Sequence, residues 1–124
     1  MPVFNRNIFQ LTGDNTLFRR ELLTGEHSQL VLMSVEGGED IGEETHAVDQ
    51  VLVFVSGPGE VVLDGERSPV GPNSLVVVPA GTRHNFVNTG QEPLKLFTIY
   101  APPEEKPSTL HRTRAEAMAA EGQE

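Results

Sequence analysis

A series of short, apolar runs separated by turn residues constrains the fold more than any other feature of the sequence. The runs are rich in valine, leucine and isoleucine, and they cover residues 28–35, 46–56, 60–63, 67–70, 75–78, 84–88 and 94–100. β-Branched residues fit a pleated sheet better than a helix. Asp64-Gly65, which joins two of the runs, is a strong signal for a two-residue hairpin turn. Together with two less regular runs nearer the N-terminus, these segments predict eight or nine short strands, a pattern typical of an all-β sandwich or barrel.

The N-terminal part of the chain is less regular. We predict strands over residues 3–10 and 17–23, separated by a turn over residues 12–15. We therefore assign residues 1–25 to N-terminal strands that lead into a barrel core over residues 28–103.

The composition changes after Ala101-Pro102-Pro103, where charged residues and alanine become frequent. Residues 104–124 are therefore predicted to form a charged C-terminal tail. Thr113 with Glu116 three residues later is the pattern of a capping box, which predicts a short helix through Ala120. A helix of this length is unstable alone, so it either docks on the barrel or frays.

Composition excludes several classes of protein. A chain of 124 residues suits a single domain, and the absence of cysteine excludes disulfide frameworks, thiolate metal sites and cysteine nucleophiles. The net charge of −9 makes a nucleic-acid partner unfavourable. The sequence has no apolar run of signal-peptide or membrane-span length, so we expect a soluble cytoplasmic protein without a membrane partner.

Polar side chains with metal-ligand chemistry cluster in two places. Glu44, His46 and Gln50 share parity, so in an extended chain they lie on one face, and His84 begins another strand. Two imidazoles and a carboxylate suit one divalent first-row metal, namely Mn, Fe, Co, Ni or Zn, and Gln50 adds a weak neutral ligand. Apolar residues behind these groups are expected to line a small pocket: Leu52, Phe54, Phe86 and Tyr100.

The spacing of these residues resembles the two motifs of small single-domain bacterial cupins, and the resemblance extends from Thr16 to Pro103. Gln50, six residues and Gly57 reproduce the end of the first motif, which places Glu44 and His46 at its two histidine positions. The spacing of the second motif is reproduced by Asn73, Pro79, Gly81, His84 and Asn88, with Asn73 in the position of a glycine.

This resemblance implies a cupin-type double-stranded β-helix, or jelly-roll, barrel and a homodimer. The usual three histidines and one glutamate are replaced here by Glu44, His46, Gln50 and His84. Two histidines and one carboxylate remain, so the resemblance still implies a metal site. It does not carry over the activity of relatives with three histidines.

The sequence leaves open whether the protein is an enzyme. A metal held by two histidines and a carboxylate favours dioxygenase-like chemistry on a small organic molecule, and sugar isomerase or epimerase chemistry is an alternative. A non-catalytic barrel that binds or senses a metal or small ligand is another alternative, and a structural barrel without metal is a third. No independent acid–base residue is evident, because the parity of Glu43 and Asp49 directs them away from the metal.

Overall fold

The computed structural model describes residues 4–121, which form nine strands and two helices. The elements in chain order are α1 (Ile8–Asp14), β1 (Arg19–Thr24), β2 (Gln29–Val35), β3 (Asp49–Ser56), β4 (Gly59–Leu63), β5 (Glu66–Val70), β6 (Leu75–Val78), β7 (His84–Asn88), β8 (Leu94–Ala101), β9 (Leu110–His111) and α2 (Arg114–Glu121). The first three residues of the predicted N-terminal strands and the last three residues of the predicted tail lie outside the described residues.

The strands form two antiparallel sheets that enclose one core. The larger sheet has the order β6-β3-β8-β2-β1-β9, and the smaller has the order β5-β4-β7. Side chains alternate along β3, so that Leu52 and Phe54 are fully buried between partly exposed neighbours. The rings of Phe54 and Phe86 lie 5.6 Å apart, which joins the inner faces of the two sheets. The prediction of an all-β barrel with a short C-terminal helix is confirmed.

Two turns show why the sequence patterns were informative. Asp64 and Gly65 both have positive φ angles, 47° and 88°, as a two-residue hairpin turn of the type that matches strand twist requires. Gly57 has a φ of 91°, and a Cβ atom there would lie 2.4 Å from the carbonyl oxygen of Pro93. Only glycine fits that position without a shift of the backbone.

The prediction of a strand over residues 3–10 is wrong for the described residues 4–10, because residues 4–7 have no regular secondary structure and α1 begins at Ile8. The helix also replaces most of the turn predicted over residues 12–15. Asn7 caps the helix, and its side chain accepts a hydrogen bond from the backbone N–H of Gln10 at 3.1 Å. The helix packs on β8, where Phe9 meets Phe97 edge to face with ring centroids 5.8 Å apart. Asn7 was a sequence signal for the start of a helix. The apolar pattern alone does not distinguish a helix from a strand in this segment.

An edge of the larger sheet is apolar. Leu75 and Val77 on β6, the edge strand, are 60% and 52% exposed. The expected homodimer, for which such an edge is a natural contact, stays a prediction.

The C-terminal segment returns to the barrel and completes the larger sheet. Strand β9, which was not predicted, pairs with β1 and places His111 opposite Arg19. Neither α1 nor α2, the helices of the described residues, is long and apolar enough to cross a membrane.

The predicted C-terminal helix is present as α2, and it docks on the barrel. The hydroxyl of Thr113 accepts a hydrogen bond from the N–H of Glu116 at 3.1 Å, as a capping box requires. Ala117 is fully buried in the core. The guanidinium of Arg114 contacts the carboxylate of Asp40 at 2.8 Å, so the helix also holds the segment that precedes Glu44.

Gln29 fixes the path of the chain after the last long strand. This buried amide accepts hydrogen bonds from the N–H groups of Glu104 and Glu105 at 3.1 and 2.8 Å. Its Nε2 atom donates to the carbonyl of Glu105 at 2.7 Å and to the hydroxyl of Thr24 at 2.8 Å. The segment 104–105 is therefore bound to β2 through a single side chain.

We expect Gln29→Leu to lower the free energy of unfolding by about 2 kcal/mol, because it leaves backbone N–H groups without their acceptor. The exposed Gln91 provides the control, and Gln91→Leu is expected to stay within about 0.5 kcal/mol of the wild type. Urea unfolding of the three proteins measures the difference. Equal stabilities of the two variants would contradict a bracing role for Gln29.

Candidate metal centre

The backbone pairs Glu44 with His84 on β7, at the edge of the smaller sheet. The N–H of Glu44 donates to the carbonyl of His84, the N–H of His84 donates to the carbonyl of Glu44, and both distances are 2.9 Å. Residues that face each other in an antiparallel pair project their side chains to the same side. The carboxylate and the imidazole are therefore brought together by main-chain geometry.

His46 joins this pair by a different route from the one predicted. The strand expected to begin at His46 begins at Asp49, and the chain bends at residues 47–48 as it passes from one sheet to the other. The carbonyl of His46 accepts a hydrogen bond from Gly81 at 2.8 Å, and its ring lies 5.2 Å from that of His84. Ligand atoms of Glu44, His46 and His84 all lie within 4.8 Å of one another.

Each histidine has its Nδ1 atom near an acceptor oxygen, by a hydrogen bond in His84 and at ion-pair distance in His46. Nδ1 of His84 lies 2.9 Å from the carbonyl of Thr82, which requires a proton on Nδ1 and leaves the Nε2 lone pair unused. Nδ1 of His46 lies 3.6 Å from the carboxylate of Glu104. The Nε2 atoms of both rings are buried, with no hydrogen-bond partner among residues 4–121.

These unpartnered atoms test whether the residues fit a metal ion. Buried polar atoms in folded proteins nearly always have a partner. Two imidazole Nε2 atoms beside the Glu44 carboxylate form a set of two nitrogen donors and one oxygen donor, which suits a divalent first-row metal. The donor set fits, and it does not distinguish among Mn, Fe, Co, Ni and Zn.

Gln50, the predicted fourth ligand, lies on β3 with only 3% of its surface exposed. Its Nε2 atom donates to the hydroxyl of Thr98 at 3.0 Å. Its Oε1 atom is buried and has no partner within the described part of the chain. This oxygen is free to accept a hydrogen bond or to coordinate, and the assignment of Gln50 as a ligand stays a prediction.

Two of the four side chains predicted to line the pocket lie against the histidines of the cluster. The Tyr100 ring meets the His46 ring edge-on at 5.5 Å, and the Phe86 ring lies 5.9 Å from that of His84. Each of the four, Leu52, Phe54, Phe86 and Tyr100, is at most 1% exposed. All four belong to the core. The cavity that is open to solvent is lined by other residues.

That space is a cavity of about 680 Å³ beside Glu44 and His46. Its other walls come from Arg19 on β1, the segment 104–111 and the end of α2 at Glu121. Sequence reasoning missed these residues. Their signal was the change in composition after Pro103, which predicted a tail rather than a wall of the site.

Burial and charge shift the proton equilibria of the cluster. Burial raises the pKa of Glu44 to about 7, and the carboxylates of Glu121 and Glu105 add to this effect while Arg19 opposes it. Burial lowers the pKa of His46, and the neighbouring His84 acts in the same direction. Metal ligation requires neutral imidazoles and an ionised carboxylate, so His46 is prepared for it and Glu44 must lose a proton.

The fold and the cluster together define a small β-barrel protein with a candidate metal centre at one end. Residues 31–100 match the family described as Cupin domain, and the chain belongs to this family. The resemblance to small bacterial cupins, including their jelly-roll fold, is confirmed.

Two similar proteins cover nearly the whole chain. It is 47% identical over 122 residues to the uncharacterized protein YrkC of Bacillus subtilis, a match that covers 93% of this chain and 66% of YrkC. The crystal structure of BH2720 from Bacillus halodurans has 45% identity and a TM-score of 0.92, and the match covers 94% of this chain and 93% of that one. The chain spans slightly less than two thirds of the length of YrkC.

A shorter stretch is similar to a named enzyme. Over 54 residues the chain is 41% identical to the acireductone dioxygenase of Rhodopseudomonas palustris, a match that covers 40% of this chain and 33% of that protein.

The raised pKa of Glu44 predicts a pH-dependent difference between metal-free wild type and Glu44→Gln. The folded state holds the Glu44 proton more tightly than the unfolded state, so the wild type loses stability as pH rises from about 4.5 to about 7. Glutamine cannot ionise, so the free energy of unfolding of the variant is expected to exceed that of the wild type by on the order of 2 kcal/mol at pH 8. At pH 5 the expected difference is less than about 1 kcal/mol.

Urea unfolding in the presence of a chelator measures this difference at both pH values. Glu43→Gln changes the adjacent acid, whose side chain is 65% exposed, and it is expected to follow the wild type. A Glu44→Gln variant less stable than the wild type at pH 8 would contradict the shift.

Proposed function

We propose that the protein is a metal-dependent enzyme that acts on a small organic molecule, with dioxygenase-type chemistry as the leading reaction class. The observation that carries this proposal is the pair of buried, unpartnered Nε2 atoms beside the Glu44 carboxylate, within 4.8 Å of one another. The 680 Å³ cavity reaches Glu44 and His46, so a small molecule has access to the cluster from solvent.

The residues around the cluster each have a definite task in this proposal. The carbonyl of Thr82 keeps His84 in the tautomer that presents Nε2, and Glu104 orients His46. The carboxylate of Glu44 offsets part of the positive charge of a divalent ion. A redox-active metal held by this set supplies Lewis-acid and one-electron chemistry to a bound substrate.

Two observations favour dioxygenase chemistry over the sugar isomerase alternative. Two histidines and one carboxylate are the ligand set of non-haem iron oxygenases. The stretch of similarity to acireductone dioxygenase points to the same reaction class. Isomerisation requires a residue that moves a proton, and the two acids considered for this, Glu43 and Asp49, are exposed.

The position of those acids also supports a second candidate function, a barrel that binds a metal and a ligand without turnover. Asp49 is occupied, because its carboxylate accepts a hydrogen bond from the N–H of Ala80 at 2.9 Å. Turnover in the presence of bound metal separates the two candidates.

We expect protein purified without an affinity tag to bind about one equivalent of a first-row metal, measured by mass spectrometry after incubation with each ion. His84→Ala is expected to lose the metal, because the buried Nε2 ligand is removed. His27→Ala alters a side chain that is 89% exposed and outside the cluster, so this variant should retain the metal. Wild-type protein without metal after these incubations would end the proposal.

We expect iron-loaded wild-type protein to consume oxygen with a small organic substrate, and an acireductone is the first to try. The rate of oxygen consumption should fall at least about a hundredfold in His84→Ala, whereas His27→Ala should keep the wild-type rate. An oxygen electrode measures consumption, and mass spectrometry identifies the product. Bound iron without turnover of any tested compound would favour the non-catalytic barrel.

A further inference from the structure

The guanidinium of Arg19 is buried in the cavity wall with part of its hydrogen-bonding capacity unused. Arg19 is 1% exposed. Its Nη1 atom donates to the carboxylate of Glu121 at 3.2 Å, and its Nε atom lies 3.6 Å from the carboxylate of Glu105, beyond hydrogen-bond distance. Nε and Nη2 have no hydrogen-bond partner among the residues of the described chain.

The two unused nitrogens share one edge of the planar guanidinium. This edge presents parallel N–H groups, and its geometry matches the two oxygens of a carboxylate. Buried donors without acceptors are costly, and those of a charged group more so. The Nε–Nη2 edge of Arg19 therefore suits a ligand that brings two acceptor oxygens.

His111 extends this surface. It faces Arg19 in the pairing of β1 with β9, so the two side chains project to the same side, and both line the cavity. Nδ1 of His111 is also buried, with no hydrogen-bond partner in the described structure.

The carboxylates in the same wall already have cationic or imidazole neighbours. Glu105 and Glu121 lie within ion-pair distance of Arg19, and Glu104 lies within that distance of His46. The buried side-chain atoms of Arg19 and His111 that have no hydrogen-bond partner in the described chain are nitrogen atoms. The three acids disfavour a ligand with several negative charges, because each further charge on the ligand would meet their repulsion.

We propose that Arg19 binds the carboxylate of a small monocarboxylic acid, and that a second oxygen of the same molecule reaches the centre of Glu44, His46 and His84. Oxo acids and hydroxy acids have this chemistry. The inference rests on the proposed function, because it assigns the substrate class of the same cavity. Arg19, Glu44 and His46 line the same cavity, so one small molecule can contact both Arg19 and the cluster.

Binding of matched acids and esters tests this proposal. The probes are pyruvate with methyl pyruvate, and 4-oxopentanoate with its methyl ester, which differ in spacing between carboxylate and ketone. Isothermal titration calorimetry or ligand-observed NMR measures binding to metal-loaded and metal-free protein. Wild type is expected to bind at least one of the acids about tenfold or more tightly than its ester.

Three variants assign that preference to the Arg19 edge. Arg19→Met should abolish it while changing ester affinity by less than about threefold, and Arg19→Lys should be intermediate, because an ammonium keeps the charge without the planar fork. Arg20→Met removes the same charge from the exposed neighbour and should keep the preference. Glu121→Gln removes the negative charge that pairs with Nη1 and should also keep the preference. Thermal unfolding confirms that each variant is folded.

Equal wild-type affinity for acid and ester in both pairs would overturn the proposal. So would a loss in Arg20→Met equal to that in Arg19→Met, which would indicate a general field effect. A loss in Glu121→Gln equal to that in Arg19→Met would show that Arg19 only fastens α2.

Metal content is measured in parallel. Absence of metal would refute the proposed function, and the preference for the acid over the ester in metal-free protein would still decide the role of Arg19.

Discussion

The pair of backbone hydrogen bonds between Glu44 and His84 is the constraint on which the candidate site depends. It joins the segment before β3 to β7, and it sets the carboxylate beside the imidazole. The segment is held from the other side by Arg114 of α2, which contacts Asp40. A ligand set positioned by main-chain pairing is more rigid than one placed on a free loop, because each backbone bond limits the φ and ψ angles around it.

Much of the barrel was predictable because its turns demand particular residues. Asp64-Gly65 marks a hairpin, and Asn73, which stands in the position of a motif glycine, has a φ of 73° that asparagine tolerates better than most residues. Asn88, the last residue of the second motif, ends β7. It is buried, and its side chain donates to the carbonyls of Val35 and Glu92 at 2.9 and 2.8 Å.

The candidate ligands were found for a partly wrong reason. Shared parity in one strand was expected to align Glu44, His46 and Gln50, but β3 begins only at Asp49. Glu44 and His84 meet because their backbones pair, and the carbonyl of His46 is held by a hydrogen bond from Gly81. These are long-range contacts that local periodicity does not report. The walls of the cavity were missed for the same reason. Arg19 and His111 become neighbours only through the pairing of β1 with β9, which joins distant parts of the chain.

The brace formed by Gln29 has a consequence for how such a barrel diversifies. Gln29 fastens the start of the 104–111 segment to β2, and this segment supplies a wall of the cavity, whereas Glu44, His46 and His84 come from earlier parts of the chain. Substitutions within 106–111, beyond the two residues that interact with the cluster, can therefore change the shape and charge that a bound molecule meets while the ligand cluster keeps its geometry. In evolution or in the laboratory, selectivity and metal chemistry of this barrel are separable traits.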